Sequence, residues 1–289
     1  MSVFSSTWLE LREPVDAEAR SAQLVDRVAR NCGAGRPLRI LDLASGTGAN
    51  LRYLAPRLGG EQEWTLIDKD PALIGAIPDR LAAWARTVEA GFTPASAGAM
   101  RITAPGFTCR ARSWSLDLVN GLNQRDTGDV QLVTASALLD LVSLDWLRAL
   151  ALYCHRRGAA VLFALTYDGR IFGEPADLMD EQVCKLVNRH QRTDKGFGPA
   201  LGPASVRAVL QLFTELGYRV RAEPSDWHVG AREASLQSML VDGWLGAAVE
   251  MVPGDASELQ AWRCRRGLQI EHSRLQLTVG HVDIAGWLP

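Results

Sequence analysis

The stretch "LDLASGTGAN", residues 41–50, decides how this chain folds. Residues 38–43 form a continuous apolar run, which reads as a buried strand. The run empties into a loop with glycines at 46 and 48. A helix is expected from about Thr47, with a kink or stop near Pro56. Strand, glycine loop and helix in that order bind nucleotides in doubly wound sheets. The P-loop pattern requires a lysine that this loop lacks. The dinucleotide pattern G-x-G-x-x-G is met by Gly46 and Gly48, but its third glycine position holds Leu51. Asp42 is a further objection, because a carboxylate at the strand end repels a pyrophosphate.

Outward from the loop, strands alternate with helices. An amphipathic helix is read over residues 16–32, with Leu24, Val25 and Val28 on one face and Gly33 just past its end. "EWTLID" is a second strand ending at Asp68, and the helix after it, 71–90, is expected to break at Pro78. Residues 91–106 read as loop. "FTCRA", "DVQLVTAS" and "AAVLFALT" are strands three to five, with a helix over "SLDWLRALALYCHR". A helix opening at Pro203 carries Val206, Val209, Leu210, Phe213 and Leu216 on one face. "YRVRAE" and "LQLTVGHVDI" are strands six and seven. Such alternation means parallel strands, right-handed crossovers and helices on both faces. Two segments exceed ordinary connections, 168–202 and 224–273. Both read as helical insertions forming a substrate lid or cap on a single domain, 1–289.

Bulk properties narrow the function. The chain has 289 residues, 47% of them apolar and 22% charged, enough for one sizeable core. With 31 basic and 33 acidic residues the net charge is −2, so no global field draws it onto nucleic acid or anionic lipid. The five cysteines form no C-x-x-C pair and are odd in number, which fits free thiols in a reducing compartment; no metal site is expected. The opening residues lack the basic and apolar regions of a signal peptide, and no apolar run approaches a membrane span. A cytoplasmic location is expected, without a membrane or DNA partner. Oligomeric state is left open.

A third ligand suits the loop better than either phosphate reading. S-adenosylmethionine has no phosphate and carries a sulfonium and an α-ammonium, so Asp42 helps rather than hurts. "LDLASGTGAN" resembles the first motif of class I S-adenosylmethionine-dependent methyltransferases, an acid followed by x-[GA]-x-G-x-G. Asp42, Ala44, Gly46 and Gly48 occupy its positions, around Ser45. Asp68, twenty residues after Gly48, ends strand two where a carboxylate can accept from two ribose hydroxyls, with Lys69 beside it; an N-cap is its ordinary alternative. The late pair of strands resembles the family's antiparallel β6–β7 hairpin, here split by an insertion. The resemblance spans about residues 35–223 and the last strand. It implies an α/β, doubly wound, seven-stranded, mostly parallel sheet with an antiparallel last strand.

Family position implies further contacts. Ser113 and Trp114 lie where an adenine-binding residue is usual, although the family's acid is missing there. Thr134, Ala135 and Ser136 follow strand four and would line the methionine pocket. Arg12 and Arg20 are candidates to reach the cofactor's carboxylate from a helix over the site, against a solvated helix face as the alternative. "TASALLDL" lacks the Asn/Asp-Pro-Pro-aromatic stretch of enzymes that methylate base amino groups. On the acceptor side, Tyr167 leaves strand five, and His190 and Lys195 follow a short helix. They are candidates to orient or deprotonate a nucleophile and to meet an anionic group. The implied activity is methyl transfer to an O or N atom of a small molecule. The rivals are an RNA methyltransferase using Arg110, Arg112, Arg156, Arg157, Arg263, Arg265 and Arg266, and a cofactor-binding protein without catalysis.

Overall fold

The computed structural model describes residues 5–32, 37–94, 99–120, 122 and 127–289. Its centre is one sheet in the order β3-β4-β5-β2-β1-β6-β7-β10-β8, with β9 pairing on β10. The strands are β1 (Leu38–Leu43), β2 (Gly60–Asp68), β3 (Gly91–Pro94), β4 (Ala99–Ala104), β5 (Phe107–Ser115), β6 (Leu132–Ser136), β7 (Ala160–Glu174), β8 (Arg219–Pro224), β9 (Trp227–Val229) and β10 (Gln276–Trp287). β5, β2, β1, β6 and β7 run parallel in that order. β10 is antiparallel to both β7 and β8 and lies between them. This seven-strand core is the mostly parallel, doubly wound sheet with an antiparallel last strand that the sequence implies. Inserting the last strand between the fifth and sixth distinguishes it from the dinucleotide order 3-2-1-4-5-6.

Helices cover both faces. On one, α2 (Ala22–Asn31), α3 (Ala49–Leu58) and α4 (Pro71–Thr87) place Leu24, Val28, Leu51, Leu54, Ile77 and Leu81 against Ile40, Trp64, Leu66 and Leu162. On the other, α5 (Leu144–Arg157) and α7 (Ser205–Glu215) place Leu147, Leu150, Val209 and Phe213 against Leu43, Val133, Val161 and Phe163. Each such side chain, fully buried, contributes about 1.5–3 kcal/mol. A third cluster joins α1 (Ser6–Ala19), α6 (Asp180–His190), α8 (Ala234–Met251), α9 (Ala256–Glu271) and β9 to the far halves of β7 and β10. Among the described residues no helix is long and apolar enough to cross a membrane.

Several expectations are corrected. The single helix 16–32 is two helices: Arg20 and Ser21 are extended, and Ser21 caps α2 by accepting from Leu24 N–H. Gly33 lies outside the described residues. Residues 91–106 are not all loop, because β3 and β4 form a hairpin on the sheet edge; 95–98 lie outside the described residues. α4 runs unbroken through Pro78, since Leu73, Ile77, Leu81 and Ala85 are buried along one face and outweigh the missing hydrogen bond. The segment 168–202 does not leave the sheet at Asp168. β7 continues to Glu174 because Ile171–Glu174 pair with Gln276–Val279 of β10.

Candidate ligand-binding site

The glycine loop is built from left-handed backbone. Ala44 has φ 51°, Gly46 53° and Gly48 80°, so the chain turns sharply between β1 and α3. Ser45 N–H donates to Ile67 O at 2.9 Å, and Gly48 N–H donates to Ser45 O at 2.8 Å. The Asp68 carboxylate closes the turn from the neighbouring strand. It accepts from Gly46 N–H at 2.8 Å and from Asp70 N–H at 3.0 Å. Asp70, not Asp68, is the N-cap of α4. Each Asp68 oxygen keeps a second lone pair for another donor.

A cavity of about 240 Å³ opens on this loop. Asp42, Ala44, Ser45, Gly46, Thr47, Asn50 and Ser136 line one side. Leu9, Arg12, Glu13, Asp16 and Ala17 of α1, with Arg20, line the other. At its closed end a relay fixes two opposite charges. Arg20 Nη1 donates to Asn50 Oδ1 at 2.8 Å. Asn50 Nδ2 donates to Asp42 Oδ1 at 2.7 Å and to Thr134 Oγ1 at 3.1 Å, and Thr134 donates onward to Leu162 O at 2.7 Å. Arg20 also stacks on Tyr53, 4.1 Å from its ring centre. Four buried polar atoms here have no partner among the described residues: Asp42 Oδ2, Arg20 Nε, Arg20 Nη2 and Ser45 Oγ. Burial pushes the Asp42 carboxyl up to about 7, against the pull of Asn50 and Arg20, and pulls Arg20 down. Asp16 in the opposite wall is also raised by burial.

The sequence candidates divide accordingly. Asp42, Ala44, Ser45, Gly46, Arg20 and Ser136 line the cavity, and Arg12 does too, so neither arginine lies on a solvated face. Gly48 begins α3 behind the loop. Thr134 acts through Asn50, while Ala135 points away into the core beside Val133. Ser113, Trp114, Lys69 and Asp68 are outside the cavity wall. Trp114 packs on the core, with the Arg112 guanidinium 4.7 Å from its ring centre.

Of the acceptor-side candidates, His190 and Lys195 meet each other, but neither they nor Tyr167 reach the cavity. Tyr167 is buried, donates to Asn188 Oδ1 at 2.8 Å and is held protonated by burial. His190 ends α6, where its Nε2 meets Glu250 at 3.0 Å; Lys195 Nζ lies 3.3 Å from its Nδ1. Partial burial lowers Lys195. None of the three lines the cavity.

Asn50, Arg52 and Glu13 escaped the sequence reading. Arg52 is buried and donates to Thr47 O at 2.7 Å and to the two Glu13 carboxylate oxygens at 2.7 and 2.6 Å. The available signal was two polar residues, Asn50 and Arg52, in the first turn of the helix that follows the glycine loop.

No protein-family model matches the chain, and no curated protein matches it. Among solved structures it is similar to an S-adenosylmethionine-dependent methyltransferase from Thiobacillus denitrificans in complex with S-adenosyl-L-homocysteine. Identity there is 15%, coverage 99% of each chain, and the TM-score 0.45. It is also similar to a cyclopropane synthase from Mycobacterium tuberculosis, at 12% identity, 90% of this chain, 82% of that one and a TM-score of 0.46. The YcgJ protein from Bacillus subtilis matches at 10% identity, 93% of this chain, 99% of that one and a TM-score of 0.48.

Proposed function

We propose that this chain is an S-adenosylmethionine-dependent methyltransferase acting on an O or N atom of a small molecule. One observation carries the reading. Asp42 Oδ2 and the Arg20 Nε and Nη2 groups are buried, unpartnered and opposite in charge, and Asn50 spaces them within one cavity. An unpaired buried donor or acceptor costs about 1–3 kcal/mol, and more when charged. The α-ammonium and α-carboxylate of a methionine tail would satisfy both ends at once. A pyrophosphate would gain at Arg20 and be repelled at Asp42.

Asp42 would hold the ammonium, Arg20 the carboxylate, and the loop at Ser45–Gly46 the atoms between. The spare lone pairs of Asp68 would take ribose hydroxyls. S-adenosylmethionine supplies a methyl group on a sulfonium, which needs little more than alignment for in-line displacement. The chain's task is then to orient the acceptor against that methyl and to keep water out, with Ser136 in the wall and α1 above. His190 and Lys195 would be acceptor-side groups on the α6–α8 cap, and the parts of 168–202 and 224–273 beyond β7 and β9 would cover the substrate. Tyr167, already donating to Asn188, would position rather than deprotonate.

A small acceptor is favoured over RNA by the fate of the arginines. Arg263, Arg265 and Arg266 are each bound to a carboxylate, of Asp242, Asp177 and Asp180. Calorimetry tests the reading: S-adenosylhomocysteine should bind and NAD should not. Binding of NAD alone would overturn it, and a strongly salt-dependent gel shift with transfer RNA would move the acceptor to RNA.

A further inference from the structure

We infer that α1 is a lid over the ligand chamber, hinged at Arg20–Ser21 and latched by Glu13 on Arg52, and that this latch sets how fast the cofactor exchanges. The inference rests on the cofactor reading above. The groups at the closed end are almost wholly covered: Asp42 is 0% exposed, Asn50 4% and Arg20 8%. Five residues of α1 form the wall over them. Leu9 reaches down until its Cδ1 lies 3.2 Å from where a Cβ on Gly46 would stand. A ligand whose charged end pairs with Asp42 and Arg20 therefore enters by displacing α1.

The helix is built to come away. Of its residues only Arg12 and Val15 are buried, and Pro14 removes a hydrogen bond from its middle. Its apolar anchor is Val15, with Trp8, Leu11 and Ala19 only partly buried, whereas α2 beyond the hinge is pinned by the fully buried Leu24, Val25 and Val28. What ties α1 to the glycine-loop side is charge. Glu13 grips Arg52 with both oxygens, and Glu10 pairs with Arg80 of α4. Its other face leans on β9, Trp8 against Trp227 at 6.3 Å and Arg12 over the same ring at 5.0 Å.

Arg52 reads lid and loop together. One nitrogen holds Thr47 O inside the glycine loop while the other two hold Glu13. It stands on α3, whose residues 50–55 are all buried. Arg20 completes the coupling, because the hinge residue itself carries the unpartnered N–H groups that would meet the ligand carboxylate. A bound tail would fix the hinge, and the fixed hinge would seat Glu13 on Arg52. Arg52 and Glu13 are positioning residues in this scheme.

The test is Glu13→Gln, which keeps the side chain's size and removes its charge. Dissociation of S-adenosylhomocysteine, followed by stopped-flow tryptophan fluorescence, should speed up about tenfold, as for loss of a charged two-point hydrogen bond. Glu10→Gln should speed it less, because that pair is more exposed. Glu13→Asp should restore part of the slow release. Hydrogen exchange of the α1 amides in the unliganded chain should rise in Glu13→Gln, and raising salt on the unaltered chain should mimic it. Wild-type release and wild-type α1 exchange in Glu13→Gln would overturn the latch. Failure of the unaltered chain to bind S-adenosylhomocysteine would instead overturn the cofactor reading, with α1 exchange still deciding the latch.

Discussion

Asn50 holds Arg20 and Asp42 apart by bonding both, accepting from Arg20 Nη1 at 2.8 Å and donating to Asp42 Oδ1 at 2.7 Å. Without it the two charges would be free to neutralise each other in a direct ion pair, and neither would face a ligand. Asn50→Ala should therefore weaken S-adenosylhomocysteine binding by about 1–3 kcal/mol. Asn50→Asp, which places a second acid beside Asp42, should weaken it further. Calorimetry on both variants checks the order; equal affinity in all three proteins would refute the spacer role.

Asp42 makes binding depend on pH. Burial lifts its carboxyl from the ordinary 3.8 to about 7. Between those values the folded chain keeps a proton that the unfolded chain has released, so stability from this group is lost as pH rises from about 4 to 7. A ligand ammonium favours the ionised form and expels that proton. Affinity should rise with pH, by up to about tenfold per unit, and level off above about 7. Calorimetry in buffers of different ionisation enthalpy counts the proton released. Asp16 is raised in the same chamber, so Asp42→Asn is the control that should flatten the Asp42 part of the curve.

The two loop glycines should fail differently. Both have left-handed backbone, which costs a side-chain-bearing residue about 1–2 kcal/mol. A Cβ at Gly48 meets nothing closer than 3.7 Å, whereas one at Gly46 stands 3.2 Å from Leu9 Cδ1. Gly48→Ala should lower the melting temperature by a few degrees, at about 2 °C per kcal/mol. Gly46→Ala should do the same and also loosen α1. Adding Leu9→Ala should relieve the contact but not the backbone strain; full recovery of both melting temperature and affinity would contradict that division.

Asp68 braces the loop through Gly46 N–H, and under the proposed function its spare lone pairs would take the ribose hydroxyls. Asp68→Ala should cost more than about 1 kcal/mol in S-adenosylhomocysteine affinity, because Gly46 N–H loses a charged acceptor. Asp68→Asn keeps one acceptor oxygen and should lie between. Unchanged affinity in Asp68→Ala would remove both roles.

His190 and Lys195 stand with Glu250 outside the cavity wall. His190→Ala and Lys195→Ala should leave S-adenosylhomocysteine affinity unchanged and affect only acceptor turnover, once an acceptor is in hand. Unchanged turnover in both would take them out of the acceptor site.

Legibility followed the range of the interactions. β1, its loop and Asp68 are written in consecutive residues, and strand, turn and acid could be read from them directly. The extent and partners of α1 could not, although a helix carrying Arg12 over the site was expected, because its apolar periodicity is weak, Pro14 interrupts it, and Arg52 and Arg80 lie 39 and 70 residues away (52−13 and 80−10). The far half of β7 was missed for the same reason: residues 168–174 look like a polar loop until β10 supplies the pairing. Thr134, Ala135 and Ser136 read in sequence as one lining, but neighbouring strand residues face opposite sides, so Ala135 faces the core with Val133 while Ser136 lines the cavity.

The seam between β9 and β10 has a consequence for how this molecule can vary. Val229 and Leu277 face each other across that ladder, and everything between them, α8 and α9 included, leaves and re-enters through these two neighbouring positions. A segment with adjacent ends behaves as a cassette: it can be exchanged or redrawn while the seven-strand core keeps its register. Acceptor choice, if it resides there, can be rewritten without disturbing the loop at residues 41–50.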